Sequence, residues 1–198
     1  MPPADSASAH VLDAAERVFL ERGYAGTRLR DLADALGVRP ASLYHHAPGG
    51  KRELWDRVVA RAFDRHRDGL QAAAEGAGTD LRAQLGAMAA WLLGQPTVNV
   101  AALATSGIGT APEGEAHATA ERVYGALMVP VAEVYRQAQA RGEVGDGPSP
   151  DLFAGVFVTA VNALAPTERA GSLPRPKEEL AAEVVALLLD GALRSEGR

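Results

Sequence analysis

A single glycine, Gly37, stands between two short apolar-periodic segments in the stretch from Thr27 to Lys51, and it constrains the chain more than any other residue. Before it, Leu29, Leu32, Ala33 and Leu36 recur at i, i+3, i+4 and i+7, which puts them on one face of a helix. Gly37 tolerates the left-handed conformation that ends such a helix. Val38 plugs the corner, and Pro40, with a preset φ and no N–H, suits the first position of a second helix. Ala41, Leu43 and Tyr44 continue that helix. Ala33 lies four residues before Gly37, and its small side chain lets the second helix cross closely over the first. The pattern is a helix-turn-helix, whose second helix is built to enter a DNA major groove. A plain helical hairpin shows the same spacings, so taken alone the hairpin leaves DNA binding and a purely structural role equally open.

The flanks decide between them. The amphipathic LDAAERVFLERGY precedes the hairpin, followed by Gly26-Thr27, the Asp31-Leu32-Ala33 core, Gly37-Val38, Leu43-Tyr44-His45-His46 and Lys51. In this combination, over residues 10 to 57, the chain resembles the N-terminal domain of the tetracycline-repressor-like (TetR) family of bacterial transcription regulators. One departure is Ala47, where the family usually carries phenylalanine, and it bears on the packing after the second helix. The resemblance implies a repressor that binds a palindromic operator as a homodimer and is released by a small molecule. The alternative is a helical small-molecule-binding or oligomerisation protein whose hairpin is merely structural.

Charge is distributed as a modular regulator needs it. The 198-residue chain carries a net charge of −5. Residues 1–68 nevertheless hold 11 Lys and Arg against 10 Asp and Glu, leaving 9 against 15 for residues 69–198. The basic balance therefore sits with the hairpin. No run approaches the length of an uncharged membrane span. The N-terminus lacks the basic start and apolar core of a secretion signal. With no cysteine there are no disulfides or thiolate metal sites, which fits a reducing cytoplasm.

In chain order, residues 1–9 read as an arm, and a first helix runs from His10 to Arg22 with Gly23 ending it. A long helix starts near Lys51 and reaches Ala74, with Leu54, Val58, Ala62 and Phe63 as its apolar stripe. Further helices are expected over Leu81–Leu93, Val98–Ala104, residues 116–141 with a kink at Pro130, Leu152–Leu164, and Pro176–Arg194. No strand-like alternation appears, so the expected fold is all-α. Its first domain is a three-helix DNA-binding unit over residues 1–50, with the start of the connecting helix to about 57. Its second, residues 51–198, is a helical ligand-binding and dimerisation domain.

Arg39, Ser42 and His45 fall at i, i+3 and i+6 and project toward one side, where Arg39 can pair with guanine O6 and N7. Tyr44 and Lys51 match family positions that touch phosphates, and Lys51 with the amides beside it opens a helix N-terminus, which favours an anion. Thr27 and Arg30 are placed to hold the other phosphate strand, and Arg28 and Ala41 complete the DNA-binding set. His46 is assigned to packing. Neighbouring helical residues point about 100° apart, so His45 and His46 do not share an ion, and no metal or cofactor is expected. No nucleophile elbow, phosphate-binding loop or zinc-protease motif is present, so the chain is not read as an enzyme. A small-molecule effector is expected among Phe63, His66, Met88, Trp91, Leu92, Asn99, His117, Tyr124 and Met128, apolar walls with few polar anchors. The homodimer is expected through the last two long helices, because a final helix apolar nearly all round needs two buried sides.

Overall fold

A computed structural model of the chain describes residues 4–95, 113–145, 147–169 and 175–193. All regular structure among these is helical: α1 (Ala4–Gly26), α2 (Leu29–Leu36), α3 (Pro40–His46), α4 (Gly50–Gly76), α5 (Leu81–Gly94), α6 (Glu113–Val123), a π-helical stretch (Tyr124–Met128), α7 (Val129–Ala140), α8 (Pro150–Arg169) and α9 (Lys177–Leu193). The helix expected over Val98–Ala104 and the candidate Asn99 lie outside the described residues. None of the described helices is long and apolar enough to cross a membrane.

Contacts divide the chain into two compact units, one of residues 1–63 with 100–119, the other of residues 64–99 with 120–198. The division falls inside α4, a continuous helix of 27 residues, about 40 Å long at 1.5 Å per residue.

In the first unit α1 packs on α2 and α2 on α3. Helix α1 begins at Ala4 rather than His10, so the expected arm is helical from there, and its helical backbone breaks at Gly23 (φ 68°, ψ 172°). Phe19, Tyr24 and Trp55 form an aromatic cluster, with Trp55 edge-on to Phe19 at 5.1 Å and tilted against Tyr24 at 5.2 Å. Arg61 of α4 meets Asp13 (2.7 Å) and Glu16 (2.5 Å) of α1, so both apolar and charged contacts hold the two helices together. The stripe Leu54, Val58, Ala62 and Phe63 is buried as its spacing predicts.

In the second unit α5 packs against α7, α8 and α9, while α8 also packs against α7 and α9. Asp80 caps α5 by accepting the Ala83 N–H at 2.7 Å. The irregularity expected at Pro130 takes the form of a π turn just before it, where the Val129 N–H reaches back to Tyr124 O. Proline has no N–H for the Ala126 carbonyl, and a widened turn accommodates that loss. Helix α8 runs on through Pro166 to Arg169, past the expected end at Leu164. Tyr135 and Phe153 stack at 4.0 Å between α7 and α8. Tyr135 is fully buried, and its hydroxyl meets no hydrogen-bond partner among the described residues.

Candidate nucleic-acid interface

The hairpin is built from local rules. Asp31 accepts the Arg28 backbone N–H at 2.7 Å and pairs with Arg22 at 2.8 Å, which fixes the start of α2. The backbone bond chiefly, and the guanidinium beside it, hold the Asp31 carboxyl below the usual carboxylate value. At the other end Gly37 adopts φ 67°, ψ 26°. Its N–H donates to Asp34 O (3.1 Å) and the Val38 N–H to Ala33 O (3.0 Å), the paired bonds that close a helix through a left-handed residue. Pro40 then opens α3 from an extended Arg39. Leu32, Ala33 and Leu43 are completely buried, so the two helices turn their apolar faces on each other. Ala47 is also completely buried at the end of α3. The position where the family usually places phenylalanine is thus a core position here, filled on this side by a methyl group.

What remains outside is the face of α3. Arg39, Ala41, Tyr44 and His45 are exposed and Ser42 is half-buried. Tyr44 is 51% exposed. Arg28 and Arg30 are exposed at the start of α2, with Arg30 lying 3.8 Å from Asp34. His46, assigned to packing from the sequence, is instead exposed, and it is its carbonyl that is used, accepting from Arg57 at 2.9 Å.

Two expected phosphate contacts are turned inward. Thr27 is buried at 1% exposure and its hydroxyl donates to Gly23 O at 2.7 Å. Lys51 directs its ammonium to Tyr24 O (2.9 Å) and Thr27 O (3.0 Å), over the Tyr24 ring at 4.0 Å. Gly23 breaks α1, and beyond the break the Tyr24 carbonyl, which also accepts the Thr27 N–H at 3.3 Å, and the Thr27 carbonyl past the helix end converge on the ammonium at the start of α4. The Gly49 N–H at the same helix start is taken by the Glu53 carboxylate at 2.8 Å. Lys51 therefore pins the α1–α2 corner to α4. Lys51→Ala is expected to lower the unfolding free energy by about 1.5–3 kcal/mol, as loss of hydrogen bonds to a charged group does, read by urea denaturation. The salt dependence of DNA binding is expected to stay unchanged. A slope reduced by about one unit would instead place Lys51 on a phosphate.

The residues expected around a ligand are placed differently from one another. Met88 and Leu92 are buried on α5, His66 is buried on α4 and Phe63 is buried one turn earlier. Trp91 is half-buried, with His66 edge-on to its ring at 5.3 Å. Met128 is half-buried in the π stretch, whereas His117 and Tyr124 stand exposed. The Tyr124 hydroxyl donates to Asp151 at 2.6 Å, and that bond raises its pKa above the ordinary phenol value. Tyr135, whose buried hydroxyl lacks a protein partner among the described residues, does not stand out in the sequence, because a tyrosine at helical spacing reads as core. No group of three or more His, Asp or Glu suited to a metal occurs among the described residues.

A buried hairpin presenting one exposed basic and polar helix is the architecture of a helix-turn-helix DNA-binding domain. Residues 11–58 match the family described as bacterial regulatory proteins, tetR family. The HTH-type transcriptional repressor KstR2 of Rhodococcus jostii (strain RHA1) is 39% identical over 69 residues, covering 32% of this chain and 33% of that protein. The biofilm operon negative regulator IcaR of Staphylococcus aureus (strain Newman) is 37% identical over 54 residues, 27% of this chain and 28% of IcaR. The matched region thus spans about a third of the length of these relatives. Over the whole fold, the TetR family transcriptional regulator PfmR of Thermus thermophilus superimposes with a TM-score of 0.62 at 25% identity, covering 91% of this chain and 97% of PfmR. A protein of Pseudomonas aeruginosa PAO1 reaches 0.80 at 18% identity, over 98% and 93%. The sequence likeness to the tetR family of bacterial regulatory proteins thus lies in the N-terminal residues 11–58, and over the remainder of the chain the likeness is one of fold.

Proposed function

We propose that this protein is a cytoplasmic DNA-binding transcription regulator, a repressor that binds a palindromic operator as a homodimer and is released by a small molecule. The observation that carries this reading is the outward face of the α3 segment: Arg39, just before the helix, and His45 on it are exposed, with Ser42 half-buried between them, while Leu43 is locked into the hairpin. Residues 1–50, with α4 to about residue 57, are the DNA-binding domain in this reading, and 51–198 the ligand-binding and dimerisation domain. Arg39, Ser42 and His45 read base edges, while Tyr44, Arg28 and Arg30 position the helix on phosphates.

The dimer forms through α8 and α9. Leu152, Val156 and Leu187 on these helices are 59%, 44% and 73% exposed, while Phe153, Phe157, Ala181, Val185 and Leu189 on their other faces are buried. Two copies make a four-helix bundle with two-fold symmetry, which in turn demands a two-fold operator. The effector is an apolar molecule with few polar groups, held in the second unit near Met88, Leu92 and Trp91. Operator and effector weaken each other's binding by the same factor. A gel shift on the promoter region beside its own gene tests the reading: a discrete, sequence-dependent complex supports it, and retention equal to that of unrelated DNA contradicts it.

A further inference from the structure

We propose that the buried Tyr135 hydroxyl is the polar anchor of a ligand site inside the second unit, and that this site takes neutral molecules carrying a hydroxyl or ketone group. The proposal names the chemistry of the effector and rests on the reading of the protein as an effector-released regulator. Tyr135 lies on α7 and is 0% exposed. Its ring is stacked on Phe153 of α8 at 4.0 Å and 15°, so packing sets the direction of the phenol. The hydroxyl can donate one hydrogen bond and accept two, yet it has no partner among the described residues. A buried polar group left unpaired lowers stability, and phenylalanine would fill the same space without that loss. A hydroxyl retained there has a use that the atoms around it do not supply.

The rest of the interior sets the charge of what can be bound. Among the described residues of the second unit no Asp, Glu, Lys or Arg is buried, and the buried polar side chains are His66 and Gln84. His66 stands edge-on to the Trp91 ring at 5.3 Å. Gln84 of α5 gives its amide to Gly78 O at 2.8 Å, which leaves its Oε1 as a second neutral group with no partner among the described residues. Helices α5 and α8 both pack against α7. No Asp, Glu, Lys, Arg or His occurs from Ala83 to Pro112, from Val123 to Ala132 or from Leu152 to Thr167, stretches that take in most of α5 and α8 and the start of α7. Burial also pushes the Tyr135 phenol above its ordinary pKa, so it stays a neutral donor. A carboxylate, phosphate or ammonium brought into this interior would lose its water and meet no carboxylate or guanidinium in return. A ketone or alcohol oxygen completes the bond that Tyr135 lacks.

The test uses the full chain without DNA and three probes built on one ring system: 1-acetylnaphthalene, 1-isopropylnaphthalene and 1-naphthoate, each titrated calorimetrically at neutral pH. The parent is expected to bind the ketone at least about threefold more tightly than the hydrocarbon of the same shape. It is expected to bind the ketone at least about tenfold more tightly than the carboxylate. Tyr135→Phe should weaken the ketone by about three- to tenfold, the factor that one net hydrogen bond supplies. The same variant should leave the hydrocarbon within about twofold, and should keep or raise the melting midpoint of the free protein. The proposal is overturned if no neutral probe binds the parent, if the carboxylate binds as tightly as the ketone, or if Tyr135→Phe retains the preference for the ketone. It is equally overturned if Tyr135→Phe lowers the melting midpoint or fails to fold, because the hydroxyl then has a partner within the fold itself. Binding is read in the absence of operator, so the two readings fail separately. A protein that discriminates the probes but selects no DNA keeps the anchor and loses the regulator, and one that selects DNA but binds no neutral probe does the reverse.

Discussion

Val156→Glu combined with Leu187→Glu is expected to leave the protein folded and monomeric at micromolar concentration, where the parent is expected to sediment as a dimer. Both side chains are already substantially exposed in the single chain, at 44% and 73%, so the substitutions cost the protomer little. At an isologous interface each appears twice, and every introduced carboxylate would be desolvated without a partner. An unpaired buried charge costs about 3–5 kcal/mol, and each 1.4 kcal/mol is a tenfold change in dissociation constant. The dimer constant should weaken by three orders of magnitude or more on that scale. Sedimentation equilibrium reads this directly. A double variant that still dimerises like the parent would move the interface elsewhere, and a monomeric parent would remove the dimer altogether.

Arg39→Ala is expected to cost about 1–3 kcal/mol in operator affinity, roughly 5- to 150-fold, and to relax base preference at one position in each half-site. Arg39 is exposed, held in an extended conformation (φ −75°, ψ 145°) at the start of α3, and makes no ion pair among the described residues. Its guanidinium is therefore available for a bidentate contact with a guanine edge without first breaking an internal bond. Arg30→Ala provides the contrast. That side chain is 84% exposed and lies near Asp34, and as a phosphate contact its loss should weaken all sequences alike. Competition titrations against single-base operator variants separate the two. If Arg39→Ala weakens every variant equally, Arg39 positions the helix rather than reading bases.

The parts of the fold that are legible in the sequence are those set by neighbours in the chain. The Gly37 stop, the Pro40 start and the Leu32–Ala33–Leu43 core each follow from side chains within a few residues of one another. The Leu54–Val58–Ala62 stripe on α4 follows from helical period in the same way. Helix ends are less legible, because Ala4–Ala9 and the turn containing Pro166 are weakly determined by local pattern. At Pro130 the position of the irregularity is readable, but its form as a π turn depends on how the Tyr124 carbonyl finds the Val129 N–H. The site residues that read differently in three dimensions depend on contacts distant in sequence. Lys51 reaches carbonyls 27 and 24 residues away, and Tyr124 meets Asp151 27 residues on. Gly69 is of the same kind, since nothing near residue 69 announces the Trp91 indole, which a Cβ there would meet at 2.0 Å. Spacing on a helix tells which residues share a face, but which partner covers that face is a tertiary fact.

The most direct test of the central claim is selection of the purified protein against a random-sequence duplex pool, followed by footprinting of the enriched DNA with the stoichiometry of the complex measured by sedimentation. An inverted repeat is expected, with half-sites one DNA turn or a multiple apart and two protomers bound for each pair of half-sites. Enrichment of no sequence, with retention falling uniformly as salt rises, would contradict it.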